Sequence, residues 1–413
     1  MSNYLIRITF LIFLIHSQLV KAQSNPHVLP QYDIVQYDSN YIHYYNDSAN
    51  FNTFYSKLDT LIAEGRGKLN IMQIGGSHIQ ADVWSDQLRK NFQQLSPNLN
   101  GGRGFLFPYK LAKTNNPYYY DVSYTGEWNG YRNSVSKHKA IWGVSGITAS
   151  TTDSVASFKI NFRGDNTPFY DFKRIKIFYN IDSSSNYCLQ LLSDSVVFIS
   201  TNYEVGYTVF ELANNANMLE FLIYKTDTTK NQFDLYGISI ENDDPGIVYN
   251  AIGVNGASTS SYLRCTLFEQ HLQAIPPDLV IFCIGINDAY DPGFCKLCYE
   301  NNYDTLVTWI KNVNPNANFL FVTNNDSYYK KKYPNKRAEI AREVMINLAT
   351  KHHAAMWDMY NVMGGLGSIK IWQKNGLAKT DKIHLTTDGY KLMGDLMFAA
   401  LMKDYTTYFK HNQ

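Results

Sequence analysis

Apolar and polar positions alternate in different ways at the two ends of the chain and in its middle. Leu69-Asn70-Ile71-Met72-Gln73-Ile74 is a short apolar run closed by Gly75 and Gly76, which predicts a buried strand. Beyond the glycines, Val83, Leu88 and Phe92 recur at helical spacing and predict an amphipathic helix from about Asp82 to Gln94. The two segments make one β-turn-α unit. The same texture returns after residue 246, with strands predicted at 247–252, 279–284 and 319–322 and helices at 260–272, 303–313, 339–352 and 387–405. Strands that alternate with helices over this length predict a parallel sheet covered on both faces.

Between about 115 and 245 the helical period disappears. Ser157-Phe158-Lys159-Ile160-Asn161-Phe162, Arg174-Ile175-Lys176-Ile177-Phe178-Tyr179 and Phe233-Asp234-Leu235-Tyr236-Gly237-Ile238-Ser239-Ile240 alternate apolar with polar residues. Turn residues at Gly164-Asp165-Asn166 and Asp182-Ser183-Ser184-Ser185-Asn186 separate them. Short strands at regular spacing predict an all-β sandwich inserted into an α/β domain, since insertions lodge in loops. The expected division is a signal peptide over 1–22, a first α/β part over 27–114, the β-insert over 115–245 and a second α/β part over 246–413.

The signal peptide is read from Arg7, the apolar run Ile8 to Ile15, and Val20-Lys21-Ala22, which places small residues before a cut after Ala22. The run is short of the roughly 20 residues a membrane span needs, and no second long apolar stretch follows. The mature chain is expected in the periplasm or outside the cell, with no membrane span. The 37 basic and 36 acidic side chains leave a formal charge of +1, with no basic footprint for nucleic acid. Aromatic residues reach 15%, 32 of them Tyr, which suits strand surfaces or rings that stack on sugars. Of the five cysteines, Cys295 and Cys298 form a lone C-x-x-C, better read as a local disulfide or two thiols than as zinc ligands. Cys283 reads as a small buried residue of its strand. Oligomeric state is not specified.

Candidate chemistry sits at the predicted strand ends, where ligands of an open α/β sheet collect. Ser77 follows Gly75-Gly76, and the turn frees backbone amides for a developing negative charge. Taken alone, Gly-Gly-Ser reads more simply as a β-to-α turn with a capping Ser. Its company changes that reading. Gly256 follows the strand at 247–252, Asn287 follows the strand at 279–284, and a Gly amide with an Asn amide suits an oxyanion hole. Asp381 and His384 lie three apart, so one loop can present the imidazole to Ser77 while the carboxylate fixes its tautomer. Asp288 is read as a residue that stabilises its own turn.

In this order the blocks Ser77, Gly256, Asn287 and Asp381 with His384 resemble the SGNH, or GDSL-like, hydrolase superfamily. The stretch Gly76-Ser77-His78-Ile79-Gln80-Ala81-Asp82, followed by Gly101-Gly102-Arg103-Gly104-Phe105, is similar more narrowly to secreted bacterial peptidoglycan O-acetylesterases, which carry a carbohydrate-module-like β-domain between the first two blocks. The resemblance implies a flavodoxin-like three-layer core and a catalytic triad of Ser77, Asp381 and His384. It further implies an oxyanion hole from Ser77, Gly256 and Asn287, and no metal or other cofactor. It offers His78, Asp82, Arg103 and Trp84 as pocket candidates; His78 reads equally well as a scaffold residue. The family usually has Asp before the nucleophile, and this chain has Gly76.

The expected activity is removal of O-acetyl groups from a carbohydrate polymer, a peptidoglycan-like glycan first, with the acetylated glycan as the partner. Two alternatives stay open: an O-acetyltransferase that uses the same triad, and a non-catalytic carbohydrate-binding protein on a degenerate hydrolase scaffold. A nucleotide-binding protein is set well behind, since the turn lacks G-x-G-x-x-G and G-x-x-x-x-G-K-S/T.

Overall fold

A computed structural model of the chain describes residues 29–46, 49–97, 99–163, 170–181, 187–226 and 232–411. The predicted signal peptide and the predicted turns at 164–166 and 182–186 lie outside these residues. Contacts divide the chain between Tyr32 and Asp33, and every element below belongs to the unit Asp33–Gln413.

The strands in chain order are β1 (Ile42–His43), β2 (Lys68–Gly75), β3 (Gly104–Leu106), β4 (Tyr120–Thr125), β5 (Asn129–Arg132), β6 (Ile147–Thr151), β7 (Val155–Phe162), β8 (Phe172–Tyr179), β9 (Tyr187–Leu191) and β10 (Val196–Asn202). They continue as β11 (Tyr207–Ala216), β12 (Met218–Lys225), β13 (Phe233–Glu241), β14 (Gly246–Gly253), β15 (Leu279–Cys283), β16 (Asn318–Val322), the small hairpin β17 (Tyr328–Tyr329) with β18 (Tyr333–Pro334), and β19 (Ala355–Trp357).

Six of them form the central sheet, in the order β1-β19-β16-β15-β2-β14. All neighbours are parallel except β1, which closes the edge antiparallel to β19. Such strands are buried on both faces, which is why β2, β15 and β16 read as near-continuous apolar runs. Tyr249 and Trp357 point to one face, where their rings meet Phe92 and Trp84 at 6.4 and 6.3 Å. Phe282 and Phe321 point to the other, and both meet Tyr303, at 5.3 and 5.5 Å. Helices Val83–Gln93 and Thr387–His411 therefore cover one face and helix Lys296–Val313 the other. This is the predicted three-layer α/β core.

Among the parallel strands, β2 is flanked by β14 and β15, the next two in this sheet, and the order then runs outward through β16 and β19. That is the flavodoxin-like order, whose direction of winding reverses between β2 and β15. The register is level at this point, with Gly75 opposite both Gly253 and Cys283. The loops that leave β2, β14 and β15 consequently open at one height.

The β-rich segment forms two antiparallel sheets, one of seven strands and one of four. β4-β7-β12-β9 makes the smaller; β10-β11-β8-β13-β6-β5 makes the larger, with β3 added on β13. Strand alternation buries one face of each against the other. Phe210 on β11 meets Phe221 on β12 at 5.9 Å, and Trp128 touches Phe158 and Phe233 from opposite sheets at 6.2 and 6.3 Å. β3 lies upstream of residue 115, so the larger sheet also draws on chain that precedes the β-rich stretch.

Two helix expectations change. The predicted helix 260–272 is two short helices, Thr259–Tyr262 and Phe268–Leu272. Between them the Leu267 amide donates to Trp142 O at 3.1 Å, a bond to the β-rich segment that replaces a helical one. The helix predicted from 303 begins at Lys296, and Cys295, disulfide-bonded to Cys298, accepts from the Cys298 amide at its start. Among the described residues no helix is long and apolar enough to cross a membrane.

Candidate active site

The site is assembled at the carboxyl ends of β14, β2 and β15. Ser77 opens a one-turn helix, Ser77–Gln80, immediately after β2. That helix crosses close over the end of β14: a Cβ on Gly253 would lie 2.1 Å from Gln80 N. Only glycine permits the approach.

His384 reaches Ser77 from the loop before helix Thr387–His411. Ser77 Oγ and His384 Nε2 are 2.7 Å apart, and His384 Nδ1 lies 2.8 Å from Asp381 Oδ2. A carboxylate only accepts, so the proton of a neutral imidazole sits on Nδ1 and Nε2 accepts from the Ser77 hydroxyl. Asp381 is itself fixed, since Oδ1 accepts from the amides of Ile383 and His384, both at 2.9 Å. Burial pushes the Asp381 carboxyl up, and hydrogen bonds, first from the His384 amide and then its ring, more than offset this and hold it below its ordinary value. The loop is tied down where Lys379 N donates to His384 O at 2.8 Å and Asn325 Nδ2 donates to Ile383 O at 2.9 Å.

The other two blocks arrive at the same place. Gly256 occupies the turn after β14 with φ +79°, and Asn287 lies in the short helix Ile286–Tyr290 after β15. Asn287 Nδ2 donates one hydrogen to Ala257 O at 2.8 Å, which leaves its second for another acceptor. The amides of Ser77 and Gly256 have no acceptor among the described residues. Ser77, Gly256, Asn287 and His384 all line one cavity of about 540 Å³.

That cavity holds residues that sequence reasoning passed over. Gln80, Asn115, Asn116 and Asn255 supply amides to its wall, while Tyr290, Lys379 and Tyr390 close its other sides. Asn255 adjoins Gly256, and Asn115 and Asn116 stand where the chain leaves the first α/β part, so proximity to the motifs was the available signal. Asp288 does more than stabilise its own turn. Its carboxylate accepts from Thr259 N and from Thr259 Oγ1, at 3.0 and 2.6 Å, and so ties the Asn287 block to the helix that follows Gly256.

The pocket candidates need correction. His78, Asp82, Arg103 and Trp84 are 4%, 3%, 2% and 2% exposed, and none lines the cavity with Ser77. His78 turns inward, where its Nδ1 lies 2.6 Å from the Tyr390 hydroxyl. Burial, with the neighbouring His384 second, lowers its pKa to about 3, so the ring is neutral. Asp82 is paired with Arg89 at 3.0 Å and with Arg103. Burial pushes this carboxyl up and the two guanidinium groups outweigh it, leaving it below its ordinary value. Trp84 packs on Trp357 in the core. A residue beside the nucleophile in sequence points away from it here because successive side chains on a helical turn face different directions.

Residues 235–392 match the sequence model of the GDSL-like Lipase/Acylhydrolase family. That stretch is similar to a GDSL-like acylhydrolase domain. The matched stretch holds Gly256, Asn287, Asp381 and His384, and Ser77 lies upstream of it. The match and the three-layer fold agree with the resemblance to SGNH-type hydrolases. A solved structure described as a peptidoglycan O-acetylesterase in action superposes with a TM-score of 0.72 at 22% identity, over 89% of this chain and 99% of that one. An acetyl xylan esterase matches 38% of this chain and 81% of its own at 19% identity, TM-score 0.31. A lipase/acylhydrolase from Enterococcus faecalis matches 38% of this chain and 77% of its own at 18% identity, also TM-score 0.31. Comparison with curated protein sequences found no match.

Proposed function

We propose that this protein is a secreted serine esterase that removes O-acetyl groups from a carbohydrate polymer, a peptidoglycan-like glycan first. The observation that carries the reading is the unbroken relay from Ser77 Oγ through the His384 ring to Asp381, with steps of 2.7 and 2.8 Å, at the cavity wall.

In this reading His384 Nε2 takes the Ser77 proton as Oγ attacks the acetyl carbonyl, a role worth about 10²–10⁴ in rate. The carbonyl oxygen becomes an oxyanion held by the Ser77 and Gly256 amides and the free Asn287 hydrogen. His384 then returns the proton to the departing sugar oxygen, leaving an acetyl-Ser77 ester. Water, deprotonated by His384, attacks that ester, and His384 returns the proton to Ser77 Oγ as acetate leaves. Asp381 stays ionised and steadies the imidazolium.

The cavity supports a short acyl group on a polar chain. Gln80, Asn115, Asn116, Asn255 and Lys379 line it, polar residues that suit a short acyl group on a polar chain better than a long fatty acyl chain. A solved structure described as a peptidoglycan O-acetylesterase matches 89% of this chain, a share too large to leave out the β-rich part, and supports the same glycan class here. The reading also takes the β-rich segment, about 115–245, as an inserted domain between hydrolase parts 27–114 and 246–413, and residues 1–22 as a cleaved signal peptide.

Mass spectrometry of acetylated peptidoglycan and acetylated xylan before and after treatment tests the substrate. Loss of acetyl mass from peptidoglycan with free acetate in solution is expected. Acetyl groups that move to an added glycan acceptor would make the protein a transferase, and glycan binding without turnover would make it a binding module.

A further inference from the structure

We propose that Ser134, in the β-rich segment between β5 and β6, is a positioning residue that aims the Gly256 amide at the oxyanion. The inference rests on the esterase reading above. It gives the β-rich segment a part in the chemistry.

The Gly256 amide lies in a four-residue turn. Ala257 N donates to Val254 O at 3.0 Å, closing the turn Val254-Asn255-Gly256-Ala257. Gly256, third in the turn, has φ +79°, whereas Asn255 is not among the residues with positive φ. That combination is a type II turn. A type I turn has the same ends but its central peptide is rotated by roughly half a turn, as the two sets of angles require. The central peptide here joins Asn255 to Gly256. In a trans peptide the C=O and the following N–H point in opposite directions, so whatever holds Asn255 O decides where Gly256 N–H points.

Ser134 holds it. The Ser134 hydroxyl donates to Asn255 O at 2.7 Å. The preceding peptide is fixed separately, since Asn255 N donates to Gln80 Oε1 at 2.6 Å. Gln80 in turn donates through Nε2 to Asn115 O at 2.8 Å and Thr114 Oγ1 at 3.1 Å. Gln80 thus sets where Asn255 sits, and Ser134 sets the rotation of the peptide after it. Without the hydroxyl, a turn whose third residue is Gly gains access to the type I form, in which the amide faces away from Ser77. Ser134 touches no reacting atom in this account.

The test compares wild type with Ser134→Ala, Ser134→Thr and Ser134→Cys in the full chain. The readouts are p-nitrophenyl acetate kinetics, inhibition by phenylboronic acid, and the melting temperature. The boronate adds to Ser77 and offers a tetrahedral oxygen to the same donors, so it reports on the hole apart from ground-state binding. Ser134→Ala is expected to lower kcat by about tenfold, less than the about hundredfold loss on outright removal of an oxyanion donor. KM stays within about twofold, boronate affinity falls in step with kcat, and Ser134→Thr restores both, as a restored hydroxyl donor requires. If Ser134→Ala does not fold, Ser134→Cys carries the comparison, with a weaker donor and a partial loss. Wild-type kcat and boronate affinity in the folded Ala or Cys variant would overturn the inference while leaving the esterase reading intact. Absence of turnover by wild type would sink the esterase reading itself, and this inference with it.

Discussion

A Cβ placed on Gly76 would lie 3.2 Å from Nδ2 of Asn287. Asn287 cannot yield freely, because the same nitrogen donates to Ala257 O at 2.8 Å. Gly76 has φ −95°, outside the left-handed region, so the space beside Asn287 is the constraint on a side chain here. This is the position where the resembled family usually carries Asp.

Gly76→Ala is therefore expected to displace the Asn287 amide by a few tenths of an ångström and lower kcat by about threefold to tenfold, with KM little changed. Gly76→Asp, with a larger side chain, should lose more. Steady-state kinetics on p-nitrophenyl acetate checks both, and a kcat at or above wild type in either variant would show that the contact does not constrain the hole.

The charges beneath the site make a second prediction. Asp82 is 3% exposed and sits between Arg89 and Arg103. Arg89 also pairs with Asp86 at 3.0 Å. Asp82→Asn would leave the buried Arg103 without its acidic partner and Arg89 with Asp86 alone, which costs about 3–5 kcal/mol. Urea denaturation measures it, and a loss below about 1 kcal/mol, the size of an exposed pair, would mean that the cluster is solvated.

Acid sensitivity should come from two buried histidines. His78 and His271 have their pKa values lowered to about 3, His78 by burial and then His384, His271 by burial alone. Both titrate normally when unfolded, at 6.5. Between these values the unfolded chain binds protons that the folded chain does not, so stability falls as pH drops from about 6.5 towards about 3. Asp82 adds to the loss only at lower pH, because its depressed carboxyl contributes above the unfolded value of 3.8 and fades below it. Each histidine contributes a slope of at most about 1.4 kcal/mol per pH unit. His271 packs against Phe178 and Tyr236, with ring centroids 4.9 and 5.5 Å away. His271→Leu should flatten the slope of unfolding free energy against pH between 6.5 and 4, and an unchanged slope would contradict the assignment.

What the sequence disclosed depended on how strongly local pattern dictates structure. β2, β15 and β16 are apolar runs buried on both faces, and each was legible within a residue or two. The alternation in β7, β8 and β13 marked the β-rich segment in the same way. β19 was not legible, since Ala355-Met356-Trp357 is too short to show a period and forms by pairing with β16 and β1. Helix Ala49–Glu64 was passed over although its stripe is regular: Phe51, Phe54, Tyr55, Leu58 and Leu61 recur at helical spacing and all are buried.

The residues brought together by the fold at Ser77 follow the same division. Ser77, Gly256, Asn287, Asp381 and His384 sit directly after strand ends or before the last helix, positions that local pattern reveals. Gln80, Asn115 and Asn255 line the cavity through tertiary contacts between loops, and closeness to the motifs in the chain was the one signal they offered. His78 and Asp82 are close to the nucleophile in the chain, but with Arg103 they turn into the core, a direction set by packing.

The central claim is that Ser77 is the nucleophile, and it is tested most directly by comparing the hydrolysis of p-nitrophenyl acetate by wild type and by folded Ser77→Ala. The account predicts a loss in kcat of about four orders of magnitude or more, as for nucleophiles of comparable triads. Retention of wild-type turnover by Ser77→Ala would contradict it.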